Sequence, residues 1–314
     1  MKKIFIKYIR VILFLPFHLF NGFSLLYSKI LNLIDPDGSE RYWEELSQKQ
    51  IDSRINSNFK FKTQEYEPKI FDKKKNLKFY TPTKISSFRA YTLFSKEKDT
   101  LEWIEKYGDN NKVFFDIGAN MGVYTLFYAA THKSKVYSFE PSFRNLDLLV
   151  RNIGLNNLNN YVSVISNPVF NKEVFDNFEQ TRNIAGLAEA TFGREIEKGE
   201  HKKTEDDPDF PRFKENSNKY KTLSVSIDEL VEKNIIEKPG LIKIDVDGNE
   251  IEVIEGAKKT IKSNGCISVL IETRADTTKV IGKILEESGY KRKSDLDNSD
   301  PTKTRDWNEI WLRG

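Results

Sequence analysis

Short apolar runs alternate with longer amphipathic stretches from Val113 to the end of the chain. The alternation is typical of a parallel sheet with helices on both faces, because strands buried on both sides are apolar along their whole length. We predict strands at 113–115, 135–139, 161–165, 241–246, 266–271, near Tyr290 and at 308–312. We predict helices at 121–131, 142–154, 249–262 and 277–288. The pattern therefore predicts an α/β fold.

The residues that precede this pattern are more polar. Residues 35–100 form an N-terminal extension, with candidate short strands at 59–61 and 78–82. A helix is predicted to begin near Thr92 and to end at Gly108, where glycine commonly stops a helix.

The α/β domain, residues 101–314, is interrupted by a polar insertion at about 171–220. The insertion is rich in Lys, Glu, Asp and Asn and contains Pro208 and Pro211. We interpret it as a partly mobile surface excursion and a candidate lid, since long polar loops in compact domains commonly carry function.

The segment 1–34 differs from the rest of the chain. Basic residues precede a charge-free stretch at 11–28, which is close to the minimum length for a bilayer span but contains Pro16 and Gly22 near its middle. No small-residue cleavage site follows, so a removable signal peptide is not expected. Three alternatives remain: a segment on the membrane surface, a single span with the N-terminus inside, or apolar helices packed on the protein's own core or on a subunit.

Composition excludes several classes of protein. The chain has 50 Lys and Arg against 47 Asp and Glu, a net charge of +3, and so lacks the basic excess of a dedicated nucleic-acid binder. A single cysteine, Cys266, rules out a disulfide framework and a cysteine-built zinc site. The three histidines lie too far apart in the sequence for metal-ligand spacing.

The sharpest motif is DIGANMG at 116–122, where the first strand meets the next helix. Gly118 allows the backbone to approach a ligand closely and to adopt a positive φ. Asp116 stands just before it, and an acid there disfavours a phosphate. A dinucleotide site would instead carry G-x-G-x-x-G, so the motif argues against NAD.

Glu140 follows the second strand, 24 residues after Asp116. A carboxylate at this place can accept hydrogen bonds from both hydroxyls of a ribose, as in several kinds of adenosine site. The structural alternative is a helix cap for Asp116 and a solvated strand end for Glu140.

Charged side chains also cluster at the end of the fourth strand, at Lys243, Asp245, Asp247 and Glu250. Ligands bind at the carboxyl ends of strands in open α/β sheets. Carboxylates there can orient a cofactor, hold an acceptor hydroxyl or take its proton. The alternative is that Asp247 and Glu250 cap the next helix while Lys243 pairs with a neighbour.

Four blocks of sequence together resemble the FkbM family of S-adenosylmethionine-dependent methyltransferases. The blocks are residues 116–122, the FEP triplet at 139–141, the asparagines Asn145, Asn152 and Asn156, and KIDVDGNE at 243–250. The resemblance runs from about Phe94 to the C-terminus. The family often has Glu where this chain has Asp247.

This resemblance implies a Rossmann-like class I methyltransferase fold, with a seven-stranded sheet whose last strand is antiparallel. It implies methyl transfer to oxygen, commonly a hydroxyl of a sugar, glycan or other secondary metabolite. Carried over by position, the resemblance implies seven cofactor-binding residues: Asp116, Gly118 and Asn120 at the amino-acid end of the cofactor, Glu140 at the ribose, Ser166 and Asn167 near the adenine, and Asp245. It also implies that Asp245 and Asp247 face the methyl-transfer centre.

A sugar hydroxyl is weakly acidic, so we expect a general base or a metal to assist. The candidate bases are Asp245, Asp247, Glu250 and Glu272, and a divalent ion held by two or three of them is an alternative. Arg274 is a candidate for binding an acidic group on the acceptor, with surface solvation as the alternative. Arg89 is a candidate for reaching the site from the extension.

Two other functions remain open at this stage. A non-catalytic scaffold could keep the nucleoside pocket and dock on a membrane biosynthetic complex, and a nucleotide-dependent oxidoreductase is disfavoured by the missing G-x-G-x-x-G.

We expect a cytoplasmic protein, because the inferred cofactor is cytoplasmic, with residues 1–34 on the inner face of the membrane in one alternative.

Overall fold

A computed structural model describes residues 64–66, 77–181, 184–194, 218–293 and 306–314. The segment 1–34 and the predicted strand at 59–61 lie outside these ranges, so the alternatives for the segment stay predictions. In the part of the chain that is described, no helix has the length and apolar character needed to cross a bilayer.

The described strands are, in chain order, β1 (Gln64–Tyr66), β2 (Leu77–Phe79), β3 (Phe114–Ile117), β4 (Val136–Phe139), β5 (Val162–Ile165), β6 (Phe175–Gln180), β7 (Ala190–Phe192), β8 (Asn218–Leu223), β9 (Leu241–Ile244), β10 (Ser268–Arg274), β11 (Tyr290–Arg292) and β12 (Asp306–Arg313). The described helices are α1 (Lys84–Thr92), α2 (Lys98–Tyr107), α3 (Val123–His132), α4 (Phe143–Leu155), α5 (Ile227–Glu232), α6 (Glu250–Gly256), α7 (Lys258–Lys262) and α8 (Thr278–Glu287).

Seven of the strands form one sheet in the order β11-β12-β10-β9-β3-β4-β5. Strands β9, β3, β4, β5 and β10 run parallel, and β12 is antiparallel to both of its neighbours. This is the predicted Rossmann-like sheet, and the fold prediction is confirmed. The chain runs from β3 toward β5 on one side and places β9 on the other, so the strand order reverses between β3 and β9. A crevice at that reversal is where open α/β sheets bind ligands.

Both faces of the sheet are buried, as the apolar runs require. In β3, Phe114 packs into the core formed with α2, α3 and α4, whereas Phe115 and Ile117 pack into the core on the opposite face. Because side chains alternate along a strand, Asp116 points to the same face as Phe114. It is therefore directed at α3.

Several predicted elements have different bounds in the structure. The helix expected from Thr92 to Gly108 begins later, at Lys98, because Thr92 is the last residue of α1, a helix that was not predicted. In the turn between α1 and α2, the Ser95 and Lys96 amides donate to the Thr92 carbonyl. The helix expected at 249–262 is broken after Gly256, where the chain packs against the backbone of Phe170.

The polar insertion carries regular structure in its described part. Strands β7, β6 and β8 form a separate three-stranded antiparallel sheet. Residues 182–183 and 195–217 lie outside the described ranges. A role as a lid stays a prediction, but the described part reaches the crevice at the end of β3.

Candidate active site

The loop after β3 lies tightly against the end of β9. Gly118 has φ +81°, and a Cβ built on it would lie 1.7 Å from the backbone oxygen of Asp245. The amides of Gly118 and Ala119 both donate to the carbonyl of Phe139 at 3.0 Å. Only glycine permits this approach, so the motif at 116–122 fixes the distance between two strand ends.

Glu140 ties the loop to the next strand. Its Oε2 accepts a hydrogen bond from the amide of Asn120 at 2.7 Å, and its Oε1 accepts one from the amide of Ser142 at 2.8 Å. Burial raises the pKa of Glu140 to about 7, against the lowering effect of these two hydrogen bonds. Each carboxylate oxygen has a second lone pair, so the group can still accept hydrogen bonds from two hydroxyls.

A cavity of about 90 Å³, the inner cavity, lies among these strand ends. Its polar lining includes Gly118, Asn120, Glu140, Asn167, Asp245 and Asp247. Phe139, Val169 and Phe178 supply apolar walls, and residues 187–188 and 190–192 of the insertion close it.

Residues 184–189 of the insertion, the partition segment, are held by side chains that flank the seven-stranded sheet. The carbonyl of Leu187 accepts from Nδ2 of Asn120 at 3.1 Å and from Nδ2 of Asn145 at 2.9 Å. The amide of Gly186 donates to Oδ1 of Asn145 at 2.8 Å. Asn145 therefore hydrogen-bonds to both a carbonyl and an amide of the partition segment and fixes its backbone conformation.

Two further contacts hold the ends of the partition segment. The amide of Glu189 donates to Oδ2 of Asp247 at 2.9 Å, and Nε of Arg89 donates to the carbonyl of Gly186 at 2.6 Å. The segment thus connects α1 to the loop after β9.

A larger cavity of about 590 Å³, the outer cavity, lies on the other side of the partition segment. It is lined by Lys84, Ile85, Phe88, Arg89, Thr92, Leu93, Lys96, Glu97, Val123, Tyr124, Asp245 and residues 187–189. The hydroxyl of Tyr124 donates to Oε2 of Glu97 at 2.5 Å. The wall therefore combines apolar surface with charged and hydroxyl groups.

Asp245 lines both cavities. Its Oδ2 accepts from Nζ of Lys243 at 2.9 Å, and Lys243 is fully buried. Burial favours the neutral acid, but the Lys243 ammonium outweighs it and holds the pKa of Asp245 below its usual range. Asp245 is therefore ionised at neutral pH.

Asp247 differs from Asp245 although it lies two residues away. It has φ +55° and faces the inner cavity. Burial, with the neighbouring charges of Asp245 and Glu250, raises the pKa of Asp247 to about 7. The two neighbouring carboxyl groups thus differ in proton affinity. Asp247 has the pKa suited to a proton acceptor, whereas Asp245 keeps a fixed negative charge.

The sequence profile of the family described as Methyltransferase FkbM domain matches residues 116–292, more than half of the chain. The chain belongs to this family. It is an FkbM methyltransferase, and the predicted family is confirmed. Arg89 and Glu97 lie outside the matched residues.

Known proteins similar to this FkbM methyltransferase include the hexuronic acid methyltransferase AglP of Haloferax volcanii, 24% identical over 204 residues, which are 61% of this chain and 69% of the relative. An FkbM methyltransferase structure from Methylobacillus flagellatus is 15% identical with a TM-score of 0.41, covering 73% of this chain and 55% of that one. A precorrin-6y C5,15-methyltransferase structure from Geobacter metallireducens is 14% identical with a TM-score of 0.39, covering 75% and 95%. The chain thus spans about half of the Methylobacillus protein.

Six of the predicted site residues of the FkbM methyltransferase come together around the inner cavity: Gly118, Asn120, Glu140, Asn167, Asp245 and Asp247. Asp116 and Ser166 do not line either cavity. Asp116 is fully buried under the loop and accepts from Oγ1 of Thr125 at 2.6 Å, because strand alternation directs it at α3. Ser166 is exposed past the end of β5.

Glu250 and Glu272 also lie outside both cavities. Glu250 is buried at the start of α6, and its Oε1 accepts from the amide of Gly248 at 2.9 Å, as the capping alternative expects. The fifth strand extends to Arg274, so Glu272 lies within β10 and not at its end. Burial and nearby acids hold the pKa of Glu272 well above its usual range, which favours its protonated form.

The carboxylates do not converge on a metal site. Within the described ranges no group of three or more His, Cys, Asp or Glu side chains is arranged to hold an ion. The alternative of a divalent ion bound by Asp245, Asp247, Glu250 and Glu272 is therefore not supported there.

Glu97 and Tyr124 were not predicted as site residues. Glu97 stands in the charged run at 96–99, which indicates only a helix start, and Tyr124 has the ordinary pattern of a core-facing helix. Arg89 was a candidate, and the structure places it on the lining of both cavities. Arg274 lines neither of them.

Proposed function

We propose that this FkbM methyltransferase transfers a methyl group from S-adenosylmethionine to a hydroxyl of a sugar, glycan or glycolipid precursor. The observation that carries the proposal is the position of Asp245, a residue that lines two adjoining cavities of different size. A transfer site needs a donor pocket and an acceptor pocket that meet. The similarity to a hexuronic acid methyltransferase supports a sugar acceptor.

The residues of the inner cavity fit the chemistry of the cofactor. Glu140 offers two acceptor oxygens to the ribose hydroxyls, Phe139 and Val169 offer apolar walls to the adenine, and Gly118 leaves its backbone open to the amino-acid end. Pockets for ligands of this size measure roughly 300–1,000 Å³. At about 90 Å³ the inner cavity is smaller than this range, and residues 187–188 of the partition segment form one of its walls.

The outer cavity suits a hydroxyl-rich acceptor. Its volume of about 590 Å³ falls within the usual range for small-molecule sites. Glu97, Tyr124 and Asp245 can exchange hydrogen bonds with hydroxyl groups. Phe88, 57% exposed on α1, presents an aromatic face to the apolar side of a sugar ring.

The sulfonium of the bound cofactor supplies the methyl group and a good leaving group. The protein's part is alignment of the acceptor oxygen, removal of its proton and exclusion of water. Asp245, kept ionised by Lys243, accepts a hydrogen bond from the acceptor hydroxyl. The acceptor oxygen then lies where the two cavities adjoin, within reach of Asp247 on the inner-cavity side. Asp247, with a pKa of about 7, takes the proton there, since a base with a pKa near the working pH is the most effective.

The test is titration calorimetry of the full chain with S-adenosylmethionine and S-adenosylhomocysteine, followed by transfer assays with hydroxylated glycans. We expect micromolar binding in the wild type and at least a tenfold loss in Glu140→Gln, because charge-assisted hydrogen bonds to the ribose are removed. Glu237→Gln, a change at an exposed carboxylate on the far side of β4, is the matched control. Absence of binding by a folded wild-type chain would reject the proposal, and binding without transfer to any glycan would favour the scaffold alternative.

A further inference from the structure

Arg89 has an unusual environment for a half-buried cation. It projects from α1 and lines both the inner and the outer cavity. Its Nε donates to the carbonyl of Gly186 at 2.6 Å, and this is its one hydrogen bond to the residues that the structure describes. No carboxylate among those residues lies within ion-pair distance of it. Among the described residues, therefore, the two Nη groups have no hydrogen-bond acceptor, in a residue that lines both cavities.

The other charged groups of the outer cavity are compensated locally. Asp245 pairs with the buried ammonium of Lys243 at 2.9 Å, and Glu97 lies 3.4 Å from Nζ of Lys96 while it accepts the Tyr124 hydroxyl. Oε2 of Glu189 accepts from the hydroxyl of Thr181 at 2.7 Å, which turns that carboxylate toward its own hairpin. Arg89 makes no such close ion pair with the described residues. Its charge acts at longer range, where it helps to lower the pKa of Asp245 and opposes the rise in the pKa of Asp247.

A guanidinium with both Nη groups available binds a carboxylate in preference to a neutral group. Its planar fork matches the two oxygens of a carboxylate, and such bidentate pairs are stronger and more directional than those of lysine. The Nε bond to Gly186 fixes the plane of the fork. A neutral hydroxyl would satisfy only part of this donor set.

We propose that Arg89 is the carboxylate-binding residue of the site, holding the carboxylate of a ligand that enters from one of the two cavities. The assignment rests on the proposed function. The carboxylate belongs either to the amino-acid end of the cofactor, reached from the inner cavity, or to an acidic sugar acceptor, reached from the outer one. This role replaces the one predicted for Arg274.

The first experiment distinguishes the cofactor as the source. Titration calorimetry compares S-adenosylhomocysteine, which carries the amino-acid carboxylate, with 5′-methylthioadenosine, which shares the nucleoside but lacks it. The proteins are the wild type, Arg89→Gln, Arg89→Lys and the exposed control Arg151→Gln. If Arg89 holds the cofactor, Arg89→Gln weakens S-adenosylhomocysteine about 10- to 100-fold and leaves methylthioadenosine unchanged, with Arg89→Lys in between.

The second experiment tests the acceptor as the source. Protein saturated with S-adenosylhomocysteine is titrated with methyl glucosiduronate and with neutral methyl glucoside, and binding is followed by calorimetry. If Arg89 holds the acceptor, the wild type prefers the uronide by about tenfold or more, and Arg89→Gln abolishes the preference while S-adenosylhomocysteine binding is unchanged.

Three results would overturn the assignment. One is that Arg89→Gln changes neither the preference for S-adenosylhomocysteine over methylthioadenosine nor the preference for the uronide over the neutral glucoside. Another is that it weakens methylthioadenosine as much as S-adenosylhomocysteine, which would mean that Arg89 acts only by holding the partition segment through Gly186. A wild-type chain that is folded but binds neither nucleoside would reject the proposed function itself, and the assignment with it.

Discussion

Nζ of Lys243 lies 2.9 Å from Oδ2 of Asp245, and this pair joins a fully buried ammonium to the carboxylate that both cavities share. Lys243 also stands beside Asp116, its register partner on β3. Burial raises the pKa of Asp116, although the Lys243 charge opposes the rise, and Oδ1 of Asp116 has no hydrogen-bond partner among the described residues. One cation therefore supports a fully buried acid, Asp116, and a half-buried one, Asp245.

Replacing Lys243 with Met should destabilise the protein by about 3–5 kcal/mol, because the buried Asp116 and the half-buried Asp245 both lose the ammonium that pairs with Asp245 and stands beside Asp116. Adding Asp116→Asn to that variant should recover part of the loss, since one of the two acids then carries no charge. Urea unfolding of the wild type, both single variants and the double variant gives the coupling energy. Losses that simply add would show that Lys243 and Asp116 do not interact.

Asp247→Asn should lower the rate of methyl transfer by about 10²–10⁴ while cofactor affinity changes little. The Asn side chain keeps an oxygen that can accept from the Glu189 amide, so the partition segment stays in place. In the wild type the reactive form of Asp247 is ionised, and the rate should therefore rise with pH through about 7. The pH profile of the single-turnover rate is the measurement. A variant that retains the same profile would exclude Asp247 as the proton acceptor.

Glu140 should make the stability of the unliganded protein depend on pH. Its pKa is about 7 in the folded protein and near 4.5 in the unfolded chain, so the folded state binds the proton more tightly. Stability from this group is full below pH 4.5 and is lost, by up to about 3 kcal/mol, as the pH rises through 7. The free energy of unfolding of wild type minus that of Glu140→Gln should fall between pH 5 and pH 8. A difference that is constant over that range would contradict the assigned pKa.

The fold was predictable because its signals are local. Strands that are buried on both faces appear in the sequence as short runs of consecutive apolar residues. Gly118 stands directly after such a run, and its position indicates a close contact between loop and strand. Glu140 was predictable for the same reason, since it directly follows a strand whose neighbour carries the glycine loop. The end of α1 at Thr92 depends on turn hydrogen bonds, and the break after Gly256 depends on contact with the backbone of Phe170. The pattern of apolar residues predicts neither of these helix ends.

The outer cavity could not be predicted from the family pattern. Arg89 and Glu97 come from helices that precede the matched residues, and the partition segment comes from the insertion that interrupts them. Their meeting at Asp245 depends on tertiary packing. Asp116 shows that a residue of a binding motif need not line the site. It is buried in the core beneath the inner cavity, whereas Gly118 of the same motif lines that cavity.

The segment 1–34 carries a prediction that rests on the sequence. If it lies on a membrane surface, full-length protein should sediment with vesicles containing anionic lipid, and deletion of residues 1–34 should leave the protein in the supernatant with its cofactor affinity intact. Salt at high concentration should release a surface-bound chain but not a single span. Full-length protein that stays in the supernatant would reject both membrane alternatives and leave packing on the core or on a subunit.

Gly118→Ala should abolish cofactor binding and destabilise the fold. Its φ of +81° costs an L-residue about 1–2 kcal/mol, and the new Cβ would lie 1.7 Å from the Asp245 oxygen, so the loop and the end of β9 must separate. Gly154→Ala is the matched control, because no atom lies within 4 Å of a Cβ at that position on α4. That change should stabilise the protein by about 0.5–1 kcal/mol through helix propensity and leave binding unchanged. Calorimetry with S-adenosylhomocysteine and thermal unfolding of both variants provide the comparison. Wild-type affinity in folded Gly118→Ala would mean that the contact between this loop and β9 does not shape the site.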